Sequence, residues 1–273
     1  MADRSGGNVL ASARHAAIAL VIAVTFLAPI ALLFVASLRP VGTEPPRAVD
    51  LVPERGSASN YGALLDMPSF RRQVLNSVLV AAIAVPLGTL VASWAGFAAA
   101  RLPRRSARTL VALAVLGASI PATALFLGRL ALFRWSGVTD SPVPLIAPAL
   151  LGVSPLLVLV FAWAYRSIPD EAYDLAREYG LGPFRTWRDV AFPIRVDVAA
   201  VVAIVAFVLT WGNLLDPLFY VYDERWFTLP VGVAALRTLP PTDHGLMLAA
   251  AVVSLLPVVA GAAVAQRIVT SRR

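Results

Sequence analysis

Few side chains in this sequence could take part in covalent or metal chemistry. None of the 273 residues is a cysteine, which excludes disulfides, thiolate metal sites and cysteine nucleophiles. The two histidines, His15 and His244, do not have the spacing of metal ligands. All 23 basic residues are arginine, so the sequence has no phosphate-binding loop ending in Gly-Lys-Ser or Gly-Lys-Thr. The sequence therefore predicts no enzyme active site, no metal site and no bound cofactor.

The polar stretch from Ile168 to Ile194 has the chemistry to engage a protein partner. Pro169 suits a first helical turn, and Asp170 adds a charge that favours the positive end of the helix dipole. Gly180 can end this helix with a positive φ, and Pro193 is placed to end a second short helix over 186–192. We predict a helix–turn–helix finger here, with an ordinary amphipathic linker as the alternative. Its apolar face and flanking basic groups are Leu175, Ala176, Tyr179, Arg177, Arg185 and Arg188.

The composition indicates a membrane protein. The chain is 59% hydrophobic and 14% charged, whereas soluble domains carry about 25% charged residues. The mean hydropathy is +0.76. A net charge of +7 is compatible with nucleic-acid binding, but the arginines cluster at the ends of apolar runs. We therefore expect the chain to contact membrane lipid and no nucleic acid.

Six apolar segments are long enough to cross a bilayer, which takes about 20 helical residues. The first is longer than the apolar region of a signal peptide, so we interpret it as a retained span. The sequence predicts an all-α polytopic membrane protein, with residues 1–273 in a single transmembrane domain. The predicted spans are 16–38, 74–99, 108–128, 143–165, 196–220 and 245–266.

The arginines also predict the orientation of the spans. The short loop over 101–108 contains Arg101, Arg104, Arg105 and Arg108. Short loops rich in arginine stay on the cytoplasmic side of the membrane. With six spans, this places both termini and the finger in the cytoplasm.

The spacing within the finger resembles the coupling loop of importer permeases. That loop reads Glu-Ala-Ala, three residues, Gly, nine residues, Ile-x-Leu-Pro. Here Asp174 stands in place of Glu, Leu175 in place of the first Ala, and Tyr179 in place of the Asp that usually precedes the glycine. The positions in register with the motif are Asp174, Leu175, Ala176, Gly180, Val190, Phe192 and Pro193.

Shorter landmarks extend this resemblance over nearly the whole chain. They are similar to segments of the six-helix permease subunits of binding-protein-dependent ABC importers, in the carbohydrate branch related to the maltose permease. The landmarks lie at residues 37–40, 60–61, 75–77, 211–218 and 227–232.

The resemblance implies a permease subunit for a sugar or oligosaccharide in a bacterial cytoplasmic membrane. The implied partners are a second, similar permease, two ATPase subunits that bind the ATP, and an extracytoplasmic substrate-binding protein. One alternative is a permease for a non-sugar solute. A self-powered carrier is another, but it predicts charge pairs within the membrane, whereas the predicted spans are nearly free of charge. An integral membrane enzyme is disfavoured because catalytic groups are not clustered.

Polar side chains within spans are costly and usually face a cavity or a neighbouring helix. Asn76, Trp211, Asn213 and Asp216 are therefore the candidates for lining a solute path. Other roles remain open for them. Asn213 could bond a helix backbone, and Asp216 could lie at the membrane interface. Trp211, like Trp94, could stack on a sugar ring or serve in packing.

Overall fold

The computed structural model describes residues 4–40, 42, 53, 56–238 and 243–270. Every regular element in these ranges is helical, which confirms the predicted all-α class. The first helices are α1 (Arg4–Ser37), α2 (Ser59–Asp66), α3 (Pro68–Ala100), α4 (Arg104–Ser119), α5 (Phe126–Trp135), α6 (Val143–Ile146) and α7 (Pro155–Arg166). The finger contains α8 (Asp170–Glu178), α9 (Pro183–Arg185) and α10 (Phe192–Ile194), with a π-helical turn over Thr186–Ala191 between the last two. The remaining helices are α11 (Val196–Trp211), α12 (Leu215–Tyr220), α13 (Leu229–Ala235) and α14 (His244–Thr270).

Four stretches of helix are long and apolar enough to cross a membrane individually: 14–37, 68–100, 143–166 and 244–264. Two bent pairs bring the number to as many as six. The first joins 104–119 to 123–135 at an angle of 85°, and the second joins 183–194 to 196–211 at 87°. The exact count of six spans therefore stays a prediction.

Three of the predicted spans are not continuous helices, and one of them, 143–165, is interrupted over 152–154 before α7 begins. Span 108–128 is interrupted after Ser119, where Pro121 follows an extended Ile120. Proline disfavours helical geometry in the residue before it, which explains the break. In span 196–220, α11 stops at Trp211, and residues 212–214 separate it from α12.

The chain divides into two compact units. One comprises residues 1–67 and 235–253, and the other comprises residues 68–234 and 254–273. In the first unit, the side-chain amide of Asn60 donates to the carbonyls of Ser37 and Arg39, at 3.1 and 2.6 Å. These bonds fix α2 to the end of α1. The single domain proposed from sequence over residues 1–273 stays a prediction.

The core of the second unit forms where α3 packs closely against the segment that leads into α7 and against α7 itself. A Cβ atom on Gly96 would lie 2.4 Å from the Cβ of Phe161, and one on Gly88 would lie 2.5 Å from a methyl group of Val153. Only glycine permits this approach, as is common where helices pack in membranes. The close packing makes α3 and α7 a firm base for the finger.

Candidate functional site

The first helix of the finger ends as the sequence predicts. Gly180 has a φ of +68°, the left-handed conformation that glycine adopts without strain. Its N–H donates to the carbonyl of Arg177 at 2.9 Å, and the N–H of Leu181 donates to the carbonyl of Ala176 at 2.9 Å. These two bonds form a Schellman motif, which satisfies the last carbonyls of α8. The chain can therefore reverse sharply at the tip of the finger.

The exposed surface of the finger differs from the predicted apolar face. Leu175 is 54% exposed and Tyr179 is 82% exposed, but Ala176 is only 3% exposed. Ala176 lies on the buried side of α8 together with Tyr173, whereas Leu175 and Tyr179, four residues apart, share the exposed side. Phe184 of α9 is also exposed. We call Leu175, Tyr179 and Phe184 the finger face.

The second helix of the finger is longer than predicted. It runs from Pro183 to Ile194, and Pro193 does not end it. Pro193 is the penultimate residue of this helix. The chain then turns at Arg195 into α11. Val190 and Phe192 are half-buried in this helix, so neither projects freely towards a partner.

Charged groups on the finger pair mainly with one another. Arg177 forms an ion pair with Asp174. Arg188 bonds Asp189 at 2.6 Å, and the guanidinium lowers the pKa of that carboxyl below its ordinary value. Exposed pairs of this kind contribute little to stability, so a partner can exchange them for its own charges.

The finger is joined to α3 and α7 by buried hydrogen bonds. The indole N–H of Trp187 donates to the hydroxyl of Ser93 in α3 at 2.9 Å. The same hydroxyl lies 2.5 Å from the hydroxyl of Tyr165 in α7. The hydroxyl of Tyr173 in α8 donates to the backbone carbonyl of Tyr165 at 2.9 Å. Burial raises the pKa of Tyr173, although the nearby guanidinium of Arg101 opposes that shift. Sequence analysis missed this network.

Aromatic rings surround the network. Trp94 packs edge-on against Trp187 and Phe184, with ring centroids 5.2 and 5.6 Å away. Phe192 contacts the other side of Trp187 at 5.8 Å. The structure thus places Trp94 beneath the finger, where it serves in packing.

A second candidate site is a cleft of about 370 Å³ between α3, α5 and the α11–α12 junction. Arg129 of α5 and Asp216 of α12 form an ion pair in it, with Nη1 3.1 Å from Oδ1. The amide of Asn213 donates to the other carboxylate oxygen of Asp216 at 2.8 Å. Thr210 and Ser154 add hydroxyl groups to the lining. The cleft can therefore offer both donors and acceptors to a polar solute.

Only two of the four predicted path residues, Asn213 and Asp216, line this cleft. The amide of Asn76 donates to the carbonyls of Arg225 and Phe227, at 2.8 and 2.9 Å. The indole N–H of Trp211 donates to the carbonyl of Ser254 at 2.9 Å. These bonds occupy the donor groups of Asn76 and Trp211 in holding the fold together.

Asp216 lies within the predicted span 196–220, and its partner Arg129 lies one residue beyond the predicted span 108–128. Sequence analysis ended the third span at residue 128, which left Arg129 outside it. The structure instead continues α5 to Trp135 and brings Arg129 against a largely buried carboxylate. Removing one partner of a buried pair typically costs about 3–5 kcal/mol. The pair is therefore a strong constraint on the relative position of α5 and α12.

The sequence is similar to a family of membrane transport proteins and to several of its members. A family model for the "binding-protein-dependent transport system inner membrane component" matches residues 84–273. The trehalose transport system permease protein SugB of Mycobacterium tuberculosis is 25% identical over 243 residues, which are 88% of each chain. The trehalose/maltose transport system permease protein MalG of Thermococcus litoralis is 24% identical, with 81% of each chain covered.

The fold also matches a solved structure. It resembles a chain from a bacterial ABC transporter involved in the import of the acidic polysaccharide alginate, with a TM-score of 0.75. The match covers 98% of each chain at 18% sequence identity. At that identity, the likeness concerns the fold alone.

Proposed function

The chain belongs to the family of binding-protein-dependent transport system inner membrane components, and we propose that it imports a sugar or oligosaccharide as the permease subunit of an ATP-driven ABC importer. Its family is one of membrane transport components and not of enzymes. Relatives named for trehalose and maltose transport support a sugar as the solute.

The observation that carries the ATP-driven mechanism is the geometry of the finger. It ends in a tight turn at Gly180 and presents exposed apolar groups next to exchangeable ion pairs. This combination suits docking to a soluble partner, because apolar anchors supply affinity and the surrounding charges supply orientation. The proposed coupling residues are Asp174, Leu175, Ala176, Tyr179, Gly180, Val190, Phe192 and Pro193, with Ala176 acting from the inner side of α8.

We propose the cleft as the part of the solute path that belongs to this chain. A sugar presents many hydroxyl groups, each of which both donates and accepts a hydrogen bond. The guanidinium of Arg129 and the amide of Asn213 can donate to them, while Asp216 can accept. Asn76 and Trp211 act on the path indirectly, by holding the elements around it.

The remaining features of the proposal concern partners and orientation. The importer consists of this chain, a second permease, two ATPase subunits that bind ATP and an extracytoplasmic substrate-binding protein. The amino and carboxyl termini and the finger lie in the cytoplasm, where ATPase subunits can reach them. The positive-inside distribution of the arginines supports this orientation.

Co-purification from the native operon tests the proposal. The tagged chain, extracted in mild detergent, is expected to bring down a second permease and an ATPase in fixed ratio. In liposomes, the complex should hydrolyse ATP faster when the binding protein and its sugar are added. If ATP hydrolysis were stimulated only by a non-sugar solute, that solute class would be the substrate in place of a sugar.

The ion pair of Arg129 and Asp216 favours one rival. Charge pairs within membrane helices are typical of self-powered carriers. Such a carrier would purify alone and transport solute without ATP, so the same preparation separates the two functions.

A further inference from the structure

The hydrogen bond between Trp187 and Ser93 joins two elements that are distant in the sequence. The finger is covalently continuous with α7 at one end and with α11 at the other. It has no covalent connection to α3, which lies about seventy residues before it. Trp187 nonetheless donates to Ser93 near the finger end of α3 at 2.9 Å.

Both partners of this bond are enclosed. Ser93 is 0% exposed and Trp187 is 8% exposed, so water does not replace the bond when it is broken. A buried donor or acceptor without a partner is unfavourable, which keeps the two groups together during small movements. The bond therefore resists separation of the finger from α3.

The π-helical turn over Thr186–Ala191 sets the direction in which Trp187 points. A π turn contains one more residue than an α turn and is frequent at functional sites. The hydroxyl of Thr186 bonds the carbonyl of Gly182 at 3.1 Å at the start of this turn. Trp187 follows directly, with its ring packed between Trp94 and Phe192. The indole N–H thus has a fixed orientation towards α3.

The hydrogen bond between the finger and α7 has a different effect from the bond to α3. Tyr173 holds α8 to the end of α7 by a bond to the carbonyl of Tyr165. This contact reinforces a connection that the chain already makes through residues 167–169. The Trp187 bond, in contrast, is a buried link from the finger to α3, whereas the other polar link, from Asp170 to Arg101 just after α3, spans 3.7 Å between exposed groups.

We propose that Trp187 and Ser93 are positioning residues that make α3 follow the finger when an ATPase partner displaces it. The proposal rests on the function proposed above. In this proposal, displacement of the finger moves α3 as well as α7 and α11, the two helices that are joined to the finger by the chain. Because Ala84 of α3 lines the cleft, movement of α3 changes the cleft directly.

Distance measurements by electron spin resonance test this link. The native chain has no cysteine, so the variants Leu90→Cys in α3 and Leu132→Cys in α5 give a single pair of spin labels when this chain is labelled before assembly with the other subunits. Both side chains are exposed and lie outside the network. In the complex purified with its ATPase subunits, the label distance is compared between the nucleotide-free state and the state trapped with ATP and vanadate.

The expected result is a change of distance in the labelled parent that falls by at least half in Trp187→Phe and in Ser93→Ala. Trp187→Phe keeps an aromatic ring and removes only the N–H donor. The double variant should behave like Ser93→Ala alone, because Ser93→Ala already removes the Trp187 bond together with the contact to the Tyr165 hydroxyl. Trp163→Phe, a matched change at an exposed tryptophan of α7, should leave the distance change intact.

Three results would overturn the inference. An unreduced distance change in both Trp187→Phe and Ser93→Ala would show that α3 moves without the bond. Loss of the ATPase subunits from these variants would show that the bond serves docking or folding of the finger. If the labelled parent neither retains an ATPase nor changes its label distance with ATP, the proposed function is wrong, and this inference fails with it.

Discussion

Arg129 of α5 and Asp216 of α12 form an ion pair, with the guanidinium Nη1 3.1 Å from the carboxylate Oδ1. Each residue lies just after an interruption between two helices. Arg129 follows the bend that separates α4 from α5, and Asp216 follows the gap between α11 and α12. The side chain of Asp216 is 9% exposed, and Asn213 donates to it as well. The pair holds together two helices that the backbone leaves free to pivot.

Removing one charge of this pair should destabilise the protein strongly. We expect Asp216→Ala to lower the free energy of unfolding by about 3–5 kcal/mol, because Arg129 would be left without its partner. Thermal unfolding in detergent, followed by tryptophan fluorescence, measures the loss. Arg225→Ala is the control, since it removes the exposed partner of Asp223 and should change stability by less than about 1 kcal/mol. Equal stability of Asp216→Ala and the parent would refute the constraint.

Gly180 should tolerate no β-branched residue. Its φ of +68° costs an L-residue about 1–2 kcal/mol, and more for valine, so Gly180→Val should distort the tip of the finger. We expect normal insertion into the membrane and loss of solute-stimulated ATP hydrolysis. Gly182→Ala is the matched control, because Gly182 has a φ of −69° and open space around its Cα. Normal uptake by Gly180→Val would contradict the finger mechanism.

The finger face should dominate affinity for the ATPase. Tyr179 is 82% exposed and makes little contribution to the fold, but aromatic anchors at interfaces are worth about 2 kcal/mol or more. Tyr179→Ala should therefore lower the affinity for the ATPase about 30-fold without changing thermal stability. Quantitative co-purification over a range of detergent dilutions measures it. Glu178→Ala, one residue away, serves as the control, and an equal loss in both variants would argue against a specific anchor.

Close packing of α3 on α7 should make Gly96 intolerant of side chains. A Cβ atom there would lie 2.4 Å from the Cβ of Phe161 and 2.9 Å from the N of Ala162, so Gly96→Val requires the helices to separate. We expect the yield of folded protein to fall several-fold, as monitored by size-exclusion chromatography. Gly117→Ala in α4, which has nothing within 4 Å of its added Cβ, should preserve the yield. Full yield of Gly96→Val would mean that α3 and α7 are less tightly packed than described.

Thiol labelling of intact cells tests the proposed orientation. Ser57→Cys lies before α2 and is expected on the outer side, whereas Ser106→Cys lies in the arginine-rich start of α4 and is expected in the cytoplasm. A membrane-impermeant maleimide should label Ser57→Cys only. Labelling of Ser106→Cys alone would show that the chain has the opposite orientation in the membrane.

The features that sequence analysis predicted well depend on neighbouring residues. The left-handed turn at Gly180 follows from the helix signals on either side of it, and the first, second, fourth and sixth spans follow from their hydropathy. Sequence analysis grouped Ala176 with Leu175 and Tyr179, but the structure buries Ala176 beside Tyr173. That error came from reading adjacent apolar residues as one face.

The features that it missed depend on contacts between distant parts of the chain. Ser93 and Trp187 are 94 positions apart, and each alone is an ordinary residue for its segment. Arg129 was left outside the third span because the break at Pro121 shifts the helical segment towards the carboxyl end. A tryptophan within a polar loop is the one local signal that could have pointed to the network.

The side-chain amide of Asn76 binds the segment around residues 225–227 through the main-chain carbonyls of Arg225 and Phe227. A main chain offers the same carbonyls whatever side chains it carries, so this attachment does not depend on the identity of residues 225 and 227. The exposed side chains of Glu224 and Arg225 can consequently vary while the segment keeps its place. The sequence of this exposed surface can therefore change without loss of the two bonds that hold the segment to α3.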